Sequence, residues 1–276
     1  MNPHETDPLV ALYEHPDPPR RPLPPGLAAR YGSDLDFPAT CLCANFVSSI
    51  DGVAALGPKY PSSGSTISGR APADRFVMGL LRSFAHAVLI GAGALRTSTK
   101  HVWLPEHAYP AAAAEFAALR RSRDLPAEPE VVFVTGSGDI PLDHPALMSG
   151  AVIATTKSGA ARLAGQVPPK STVLSLGDGP TVRMNVLVEA LRERGDAMIL
   201  SEAGPRIAGQ LVEDALLDEL FVTVSPVLAG RDHTARDGLV SGLELLPGRR
   251  ETAELVSVRR QESYLFLRYR FPAEPR

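Results

Sequence analysis

The residues richest in chemistry lie where the apolar run Ala197-Met-Ile-Leu-Ser201 meets Glu202-Ala-Gly-Pro-Arg206 and a helical pattern begins at once with Ile207, Leu211, Val212 and Ala215. A strand that turns directly into a helix aims several backbone N–H groups at one point beyond its carboxyl end, because the first turn has no carbonyls to bond them. Such a point suits a phosphate. Pro205 fits the first helical turn, where its missing N–H costs nothing, and Gly204 lets a ligand approach the backbone closely. Glu202 is repelled by an anion there unless it serves another part of the ligand, such as a hydroxyl. The plainer reading is a strand-to-helix turn with a solvated glutamate.

Other stretches carry related chemistry. Pro61-Ser-Ser-Gly-Ser-Thr-Ile-Ser-Gly-Arg70 is a polar loop dense in hydroxyls and backbone donors. Gly64 and Gly69 have the spacing of a phosphate-binding P-loop, but Arg70 stands for its lysine and Ala71 for its magnesium-binding hydroxyl, which excludes a nucleotide triphosphatase. Ala87-Val-Leu-Ile-Gly-Ala-Gly93 ends a strand in glycines. The pattern Gly91-x-Gly93-x-x-Arg96 lacks the third glycine of a dinucleotide fingerprint, yet leaves Arg96 near a strand end, where it can partner a ribose 2′-phosphate. Asp51-Gly52, after the strand Cys41 to Val47, is a turn unless context promotes Asp51. From Ala71 to Ala85, Val77, Leu80, Leu81 and Phe84 fall at helical spacing, and Arg75, Met78 and Arg82 lie off that stripe. An arginine so placed is a solvated charge unless a ligand lies above it.

The elements that would position these residues follow from patterning. Strands are expected at 41–47, 87–91, 131–135, 151–155, 172–176 and 197–201, and helices at 71–85, 182–194 and from 205 onward. Their alternation means mainly parallel pairing with helices on both faces. Leu220 to Pro226, Glu254 to Val258 and Tyr264 to Arg270 have no convincing helix between them, so antiparallel strands, the last two a hairpin, should close the carboxyl-terminal side. Residues 98–130 read as one short helix, Ala111 to Arg121, inside a long surface connection. Pro3, Pro8, Pro16, Pro18, Pro19, Pro22, Pro24 and Pro25 deny residues 1–36 helix and ladder bonds, so that stretch reads as a disordered arm ahead of a single domain at 37–273.

Composition sets the outer bounds. The 276 residues are 44% hydrophobic, enough for a sizeable core, and 28 basic residues are balanced by 31 acidic ones with the arginines dispersed, which argues against a nucleic-acid surface. Cys41 and Cys43 alternate with Leu42 on one side of a strand and offer no disulfide or metal framework. His4, His15, His86, His101, His107, His144 and His233 show no ligand spacing, and a Gly-x-Ser-x-Gly elbow is missing, so metalloenzyme and hydrolase readings lack support. The sequence has no apolar run of about 18 residues, and its amino terminus is proline-rich and acidic, so a cytoplasmic location away from membranes is expected. A nucleotide or phosphosugar is the ligand class indicated.

Phe46-Val-Ser-Ser-Ile-Asp-Gly52, Thr66-Ile-Ser68, Leu81-Arg82, Ala87-Val-Leu-Ile-Gly91, Leu200-Ser-Glu-Ala-Gly-Pro205, Leu217-Asp-Glu-Leu220, Ser225-Pro226 and Ala229-Gly230 occur in one order. Together they resemble the riboflavin-biosynthesis pyrimidine reductase family over residues 40 to 271. The resemblance implies an α/β, dihydrofolate-reductase-like three-layer fold. It implies NADPH-dependent reduction of 5-amino-6-(5-phosphoribosylamino)uracil to the ribitylamino form, with hydride reaching the sugar C1′, and a homodimer. The zinc deaminase signature of bifunctional relatives is missing, so a stand-alone reductase is expected.

By position, the resemblance gives the cofactor to Val47, Thr66, the turn Gly91, Ala92, Gly93, Ala94, Leu95 and Arg96, and the turn Ala203, Gly204, Pro205, Arg206 and Ile207. Arg82 would bind the substrate phosphate, Glu202 would contact the substrate and serve catalysis together with Asp51, and Ser65 and Arg70 are further substrate-binding candidates. No metal is implied. The sequence departs from the family pattern at Ala94, at Ser98 and Thr99, where an acidic pair is usual, and at Ala203. Those departures bear on substrate identity, leaving a pterin such as dihydrofolate, or NADPH binding without catalysis, as alternatives.

Overall fold

The computed structural model describes residues 7–16, 21–57, 59–60, 62–232 and 236–272. Residues 1–6, 17–20 and 273–276, with Pro58, Pro61 and 233–235, lie outside the described residues, and with them His4, His233 and parts of the expected arm.

The expectation that residues 1–36 hold no helix or strand is overturned for the part described. Val10–Glu14 forms strand β1 and Pro25–Tyr31 forms helix α1. Pro25 sits in the first turn of α1, where proline is tolerated, and β1 occupies the proline-free interval between Pro8 and Pro16 at a sheet edge, where only one side needs ladder partners. Leu9, Leu23, Leu27, Tyr31 and Leu35 are buried. Arg259 pins the segment: its Nε donates to the Tyr31 carbonyl (2.9 Å), its Nη2 reaches Ser33 Oγ (2.6 Å) and Glu14 (3.0 Å), and its guanidinium lies 3.9 Å over the Tyr31 ring.

Next come β2 (Cys41–Ser49), α2 (Ser63–Ile67), α3 (Pro72–Phe84), β3 (Ala87–Gly91) and α4 (Gly93–Thr97). Helix α2 turns the expected polar loop at 61–70 into one helical turn, its buried Ile67 packed with Val53 and Leu56. Region 98–130 also differs from expectation, holding α5 (Pro105–Ala108), a 3₁₀ turn at Pro110–Ala112 and α6 (Ala113–Ser122). Trp103, Tyr109, Phe116 and Leu119 are buried there, and aromatic packing, with Phe76 stacked on Phe116 and edge-on to Tyr109, draws the stretch into the core that alanine-rich periodicity does not reveal.

The alternation then continues through β4 (Glu130–Thr135), α7 (Pro145–Ser149), β5 (Val152–Thr155), α8 (Lys157–Leu163), β6 (Thr172–Ser175), α9 (Met184–Glu193), β7 (Met198–Ser201) and α10 (Pro205–Glu213). Strands β8 (Glu219–Ser225), β9 (Glu254–Gln261) and β10 (Tyr264–Arg270) finish the chain. Among the described residues one sheet of 10 strands runs β1-β9-β10-β8-β2-β7-β3-β4-β5-β6. From β8 to β6 every pairing is parallel, and β10, β9 and β1 add antiparallel, as expected for the carboxyl-terminal strands.

Alternate residues of the central strands feed opposite faces. Cys41, Cys43, Val88, Ile90, Val131 and Phe133 join α1, α3 and α6, whereas Leu42, Ala44, Leu89, Val132 and Ile199 join α9 and α10. The result is the three-layer arrangement expected. At the antiparallel side the buried Glu219 accepts from Arg268 (2.7 and 2.9 Å) and Arg270 (3.1 Å), so a carboxylate that would be costly alone is fully engaged.

Candidate active site

Strands β2, β7 and β3 lie side by side and parallel, so their carboxyl ends open at one edge of the sheet, where ligands of open α/β folds bind. Glu202 follows β7 directly, and its N–H donates to the Leu89 carbonyl of β3 (3.0 Å), joining the two strand ends. The chain then turns through Gly204, at φ +85°, into α10. Gly91 closes β3 so near that turn that a Cβ there would stand 2.9 Å from the Ala203 carbonyl oxygen. Cβ positions at Gly93 and Gly204 would meet nothing within 4 Å, so both turns present bare backbone to open space.

Glu202 faces α3. Arg82 Nε donates to Oε1 (3.1 Å) and Nη2 to Oε2 (2.6 Å), a fork-to-fork pair, with Arg82 only 1% exposed. Nη1 of Arg82 donates to the Leu104 carbonyl (3.3 Å) and lies 3.3 Å from His101 Nε2. Burial, reinforced by the Arg82 charge, pushes His101 down to about 3, so the ring is neutral near pH 7, and a nitrogen that accepts from Arg82 leaves its proton on Nδ1. Trp103 packs edge-on to His101 at 4.9 Å.

Two hollows adjoin here. The larger, about 450 Å³, is the more polar of the two and is lined by Ser65, Arg70, Arg75, Arg82, His101, His107 and Glu202 among others. The smaller, about 270 Å³, runs over Phe46, Ala54, Ala55, Gly204 and Pro205. Val47, Gly64, Asp74, Met78 and Glu202 line both. Asp74 stands in the first turn of α3, 6% exposed. Burial raises its carboxyl to about 6, helped by the charge of Glu202 and opposed by hydrogen bonding from the hydroxyls of Thr223 and Ser68. A bigger hollow, about 640 Å³, opens between His86, Glu130, Lys170, Arg194 and Asp196, but it sits at the amino ends of the strands, where Arg194 and Glu130 already pair at 2.6 Å.

The candidates from sequence divide accordingly. Val47, Ser65, Arg70, Arg82, Glu202, Gly204 and Pro205 line the cleft. Thr66 is exposed and its hydroxyl turns back to the Ser62 carbonyl (3.4 Å). Ala92 and Leu95 are buried and Ala94 packs on the core, leaving that turn its backbone to offer. Arg96 is exposed and donates to the Asp139 carbonyl (2.9 Å), whereas Arg206 is exposed and Ile207, in the first turn of α10, packs on the core. Asp51 is outside both linings. Its carboxylate accepts from Ser49 Oγ (2.6 Å) and the N–H groups of Ala229 (3.0 Å) and Gly230 (2.8 Å), hydrogen bonds that hold it down at about 2. That geometry ties two loops together. Asp74, Met78, His101 and Trp103 complete the site without a motif to announce them. An acid flanked by Ala73, Phe76 and Val77 is the only sequence signal for Asp74, and it is equally the signature of a helix start.

Residues 40–255 match the family model described as the RibD C-terminal domain. The chain belongs to the RibD C-terminal domain family. This is the riboflavin-pathway reductase family to which the motifs at 46–52, 81–82 and 200–205 pointed. No curated protein matches the chain. Among solved structures it is similar to a pyrimidine reductase-like protein of Corynebacterium diphtheriae (18% identity, 85% of this chain and 93% of that one, TM-score 0.61). It is also similar to a diaminohydroxyphosphoribosylaminopyrimidine deaminase/5-amino-6-(5-phosphoribosylamino)uracil reductase of Thermotoga maritima (16%, 84% and 57%, TM-score 0.59). A third similar structure is the riboflavin biosynthesis reductase Rib7 of Saccharomyces cerevisiae (11%, 86% and 93%, TM-score 0.57). The chain spans just over half of the Thermotoga protein, and at these identities the likeness establishes the shared dihydrofolate-reductase-like fold of RibD-type reductases. Among the described residues no helix is long and apolar enough to cross a membrane, and no group of three or more His, Cys, Asp or Glu is arranged to hold a metal.

Proposed function

We propose that this protein reduces 5-amino-6-(5-phosphoribosylamino)uracil to its ribitylamino form with NADPH as hydride donor. The observation that carries the reading is the pair of adjoining hollows, one floored by glycine backbone and a helix start, the other more polar and rimmed by arginines, meeting at Glu202 and Asp74. The nicotinamide cofactor fits the smaller side. The open space over Gly93 and Gly204 admits a pyrophosphate to backbone N–H groups at the start of α10, and Val47, Phe46 and Ala54 supply an apolar wall for a flat ring. Bound there, NADPH supplies the hydride.

The chain's own residues do the rest. Glu202, its carboxylate aimed by Arg82, accepts hydrogen bonds from substrate hydroxyls. Because Arg82 is committed to Glu202, Leu104 and His101, the substrate phosphate falls to Arg70 and Arg75 at the rim, and Arg82 serves as a positioning residue. A cytoplasmic homodimer is part of the same proposal.

The test is NADPH oxidation by purified protein with the phosphoribosylaminouracil, run beside dihydrofolate. Saturable turnover of the former alone is expected. Turnover of dihydrofolate alone, or NADPH binding without either reaction, would replace the substrate assignment.

A further inference from the structure

Hydride delivery to C1′ of the ring-opened substrate requires a proton at the nitrogen, and the cleft contains one carboxyl built to hold it. Asp74 borders both hollows and so faces the junction where cofactor and substrate must meet. It is buried, and among the described residues no arginine or lysine pairs with it, in contrast to Glu202, whose two oxygens are both taken by Arg82. The two carboxyl groups thus differ in kind: both oxygens of one are held by a fork of guanidinium donors, and the other is left in a poorly solvated place beside it.

Resting on the reductase reading above, we propose that Asp74 is the proton donor of the reaction. As hydride arrives at C1′, the C=N bond becomes C–N, a C–H bond forms, and the Asp74 proton passes to the nitrogen to make N–H. The dihydronicotinamide is oxidised, and Asp74, left as carboxylate, is reprotonated from water. Its elevated titration, near 6, suits the task, since a donor held at the ordinary value would be almost wholly ionised at neutral pH. The titratable and charged groups that line the cleft with it are Glu202 beyond β7, Arg70 and Arg75 near the start of α3, Arg82 further along it, and His101 and His107 from the connection after α4. Of these Glu202 acts to keep the proton on.

The test combines single-turnover hydride transfer across pH with a measurement on the free enzyme. In the wild type the rate should fall about tenfold per unit above a midpoint near 6, and Asp74→Asn should be slower by ~10² or more with that limb gone. NADPH affinity, read by fluorescence, should stay within about threefold, since the amide keeps the shape of the carboxyl. Thr223→Val removes a hydroxyl that favours the charged form and should move the midpoint upward, a change that a purely structural Asp74 would not produce. Infrared titration of the free enzyme should show a carboxylic C=O band, lost as pH rises through about 6 and missing from Asp74→Asn. Asp74→Asn protein that keeps the limb and turns over within about fivefold of wild type would overturn the assignment, as would a limb unmoved by Thr223→Val. Wild-type protein that transfers no hydride to this substrate would instead overturn the reductase reading, and the proton-donor role with it, even where the infrared band titrates as expected.

Discussion

Replacing Asp74 by Asn should stabilise the protein at neutral pH and do progressively less as the solution is acidified. The carboxyl titrates at about 6 in the folded protein against 3.8 ordinarily, chiefly because burial penalises its charge. Between those values the folded protein retains a proton that the unfolded chain has released, so the contribution of Asp74 is fully present below about 3.8 and is lost as pH rises through 6. At about 1.4 kcal/mol per unit, the charged carboxyl costs ~3 kcal/mol at pH 7, and about 2 of those kcal/mol accrue between about pH 4.5 and 7. Asparagine carries no charge to desolvate and keeps an oxygen for the hydroxyls of Ser68 and Thr223. Urea unfolding of both proteins at several pH values should show their stability difference growing by ~2 kcal/mol in favour of the variant over that interval, other groups cancelling in the comparison. A difference that stays flat within ~0.5 kcal/mol would refute the buried-carboxyl argument and weaken the case for a proton donor at that position.

Two further outcomes follow from the geometry of the strand ends. Glu202→Ala strands the Arg82 guanidinium, 1% exposed, beside a neutral histidine, and should cost ~3–5 kcal/mol, seen as a Tm fall of roughly 10 °C; an unchanged Tm would mean that water replaces the carboxylate. Gly91→Ala drives a methyl to 2.9 Å from the Ala203 carbonyl, so the two turns must part, at ~1–3 kcal/mol and with weaker NADPH binding by titration, whereas Gly93→Ala, which meets nothing within 4 Å, should leave stability within ~0.5 kcal/mol. Equal effects at the two glycines would count against the interlocked turns.

Most of the sheet is legible in the sequence because its central strands are covered on both faces and therefore read as unbroken apolar runs, as Cys41 to Val47 and Ala87 to Ile90 do. The turn at 202–205 is legible for a different reason, since a proline and a glycine at a strand-to-helix junction admit few conformations. Strand β1 is not, because Val10, Leu12 and Tyr13 are exposed at an edge and their stretch is bracketed by prolines that argue for coil. Region 98–130 fails differently: its burial depends on Trp103, Tyr109 and Phe116 meeting Phe76 and Phe133, contacts that no local period encodes. Within the site, motif spacing finds Glu202 and Arg82 separately but not that they are each other's partner, 120 residues apart. Asp74 is hidden more deeply still, because an acid in a first helical turn is normally a solvated helix start.

The strand order also fixes when the sheet can come together. Strand β2 is made early, yet both of its neighbours, β7 and β8, are made after residue 197, so during synthesis its apolar faces and both its edges wait unpaired while some 150 further residues emerge. The β3-β4-β5-β6 half is different, each strand adding beside the one before it, and it can assemble as it leaves the ribosome. Strand β1, made first, waits longest for its partner, β9, near the far end of the chain. A nascent chain halted before β7 should therefore present one orderly α/β half and one exposed, aggregation-prone strand. The cleft, walled by the end of β2, by α2 and α3 and by the turn after β7, would appear only near the end of translation.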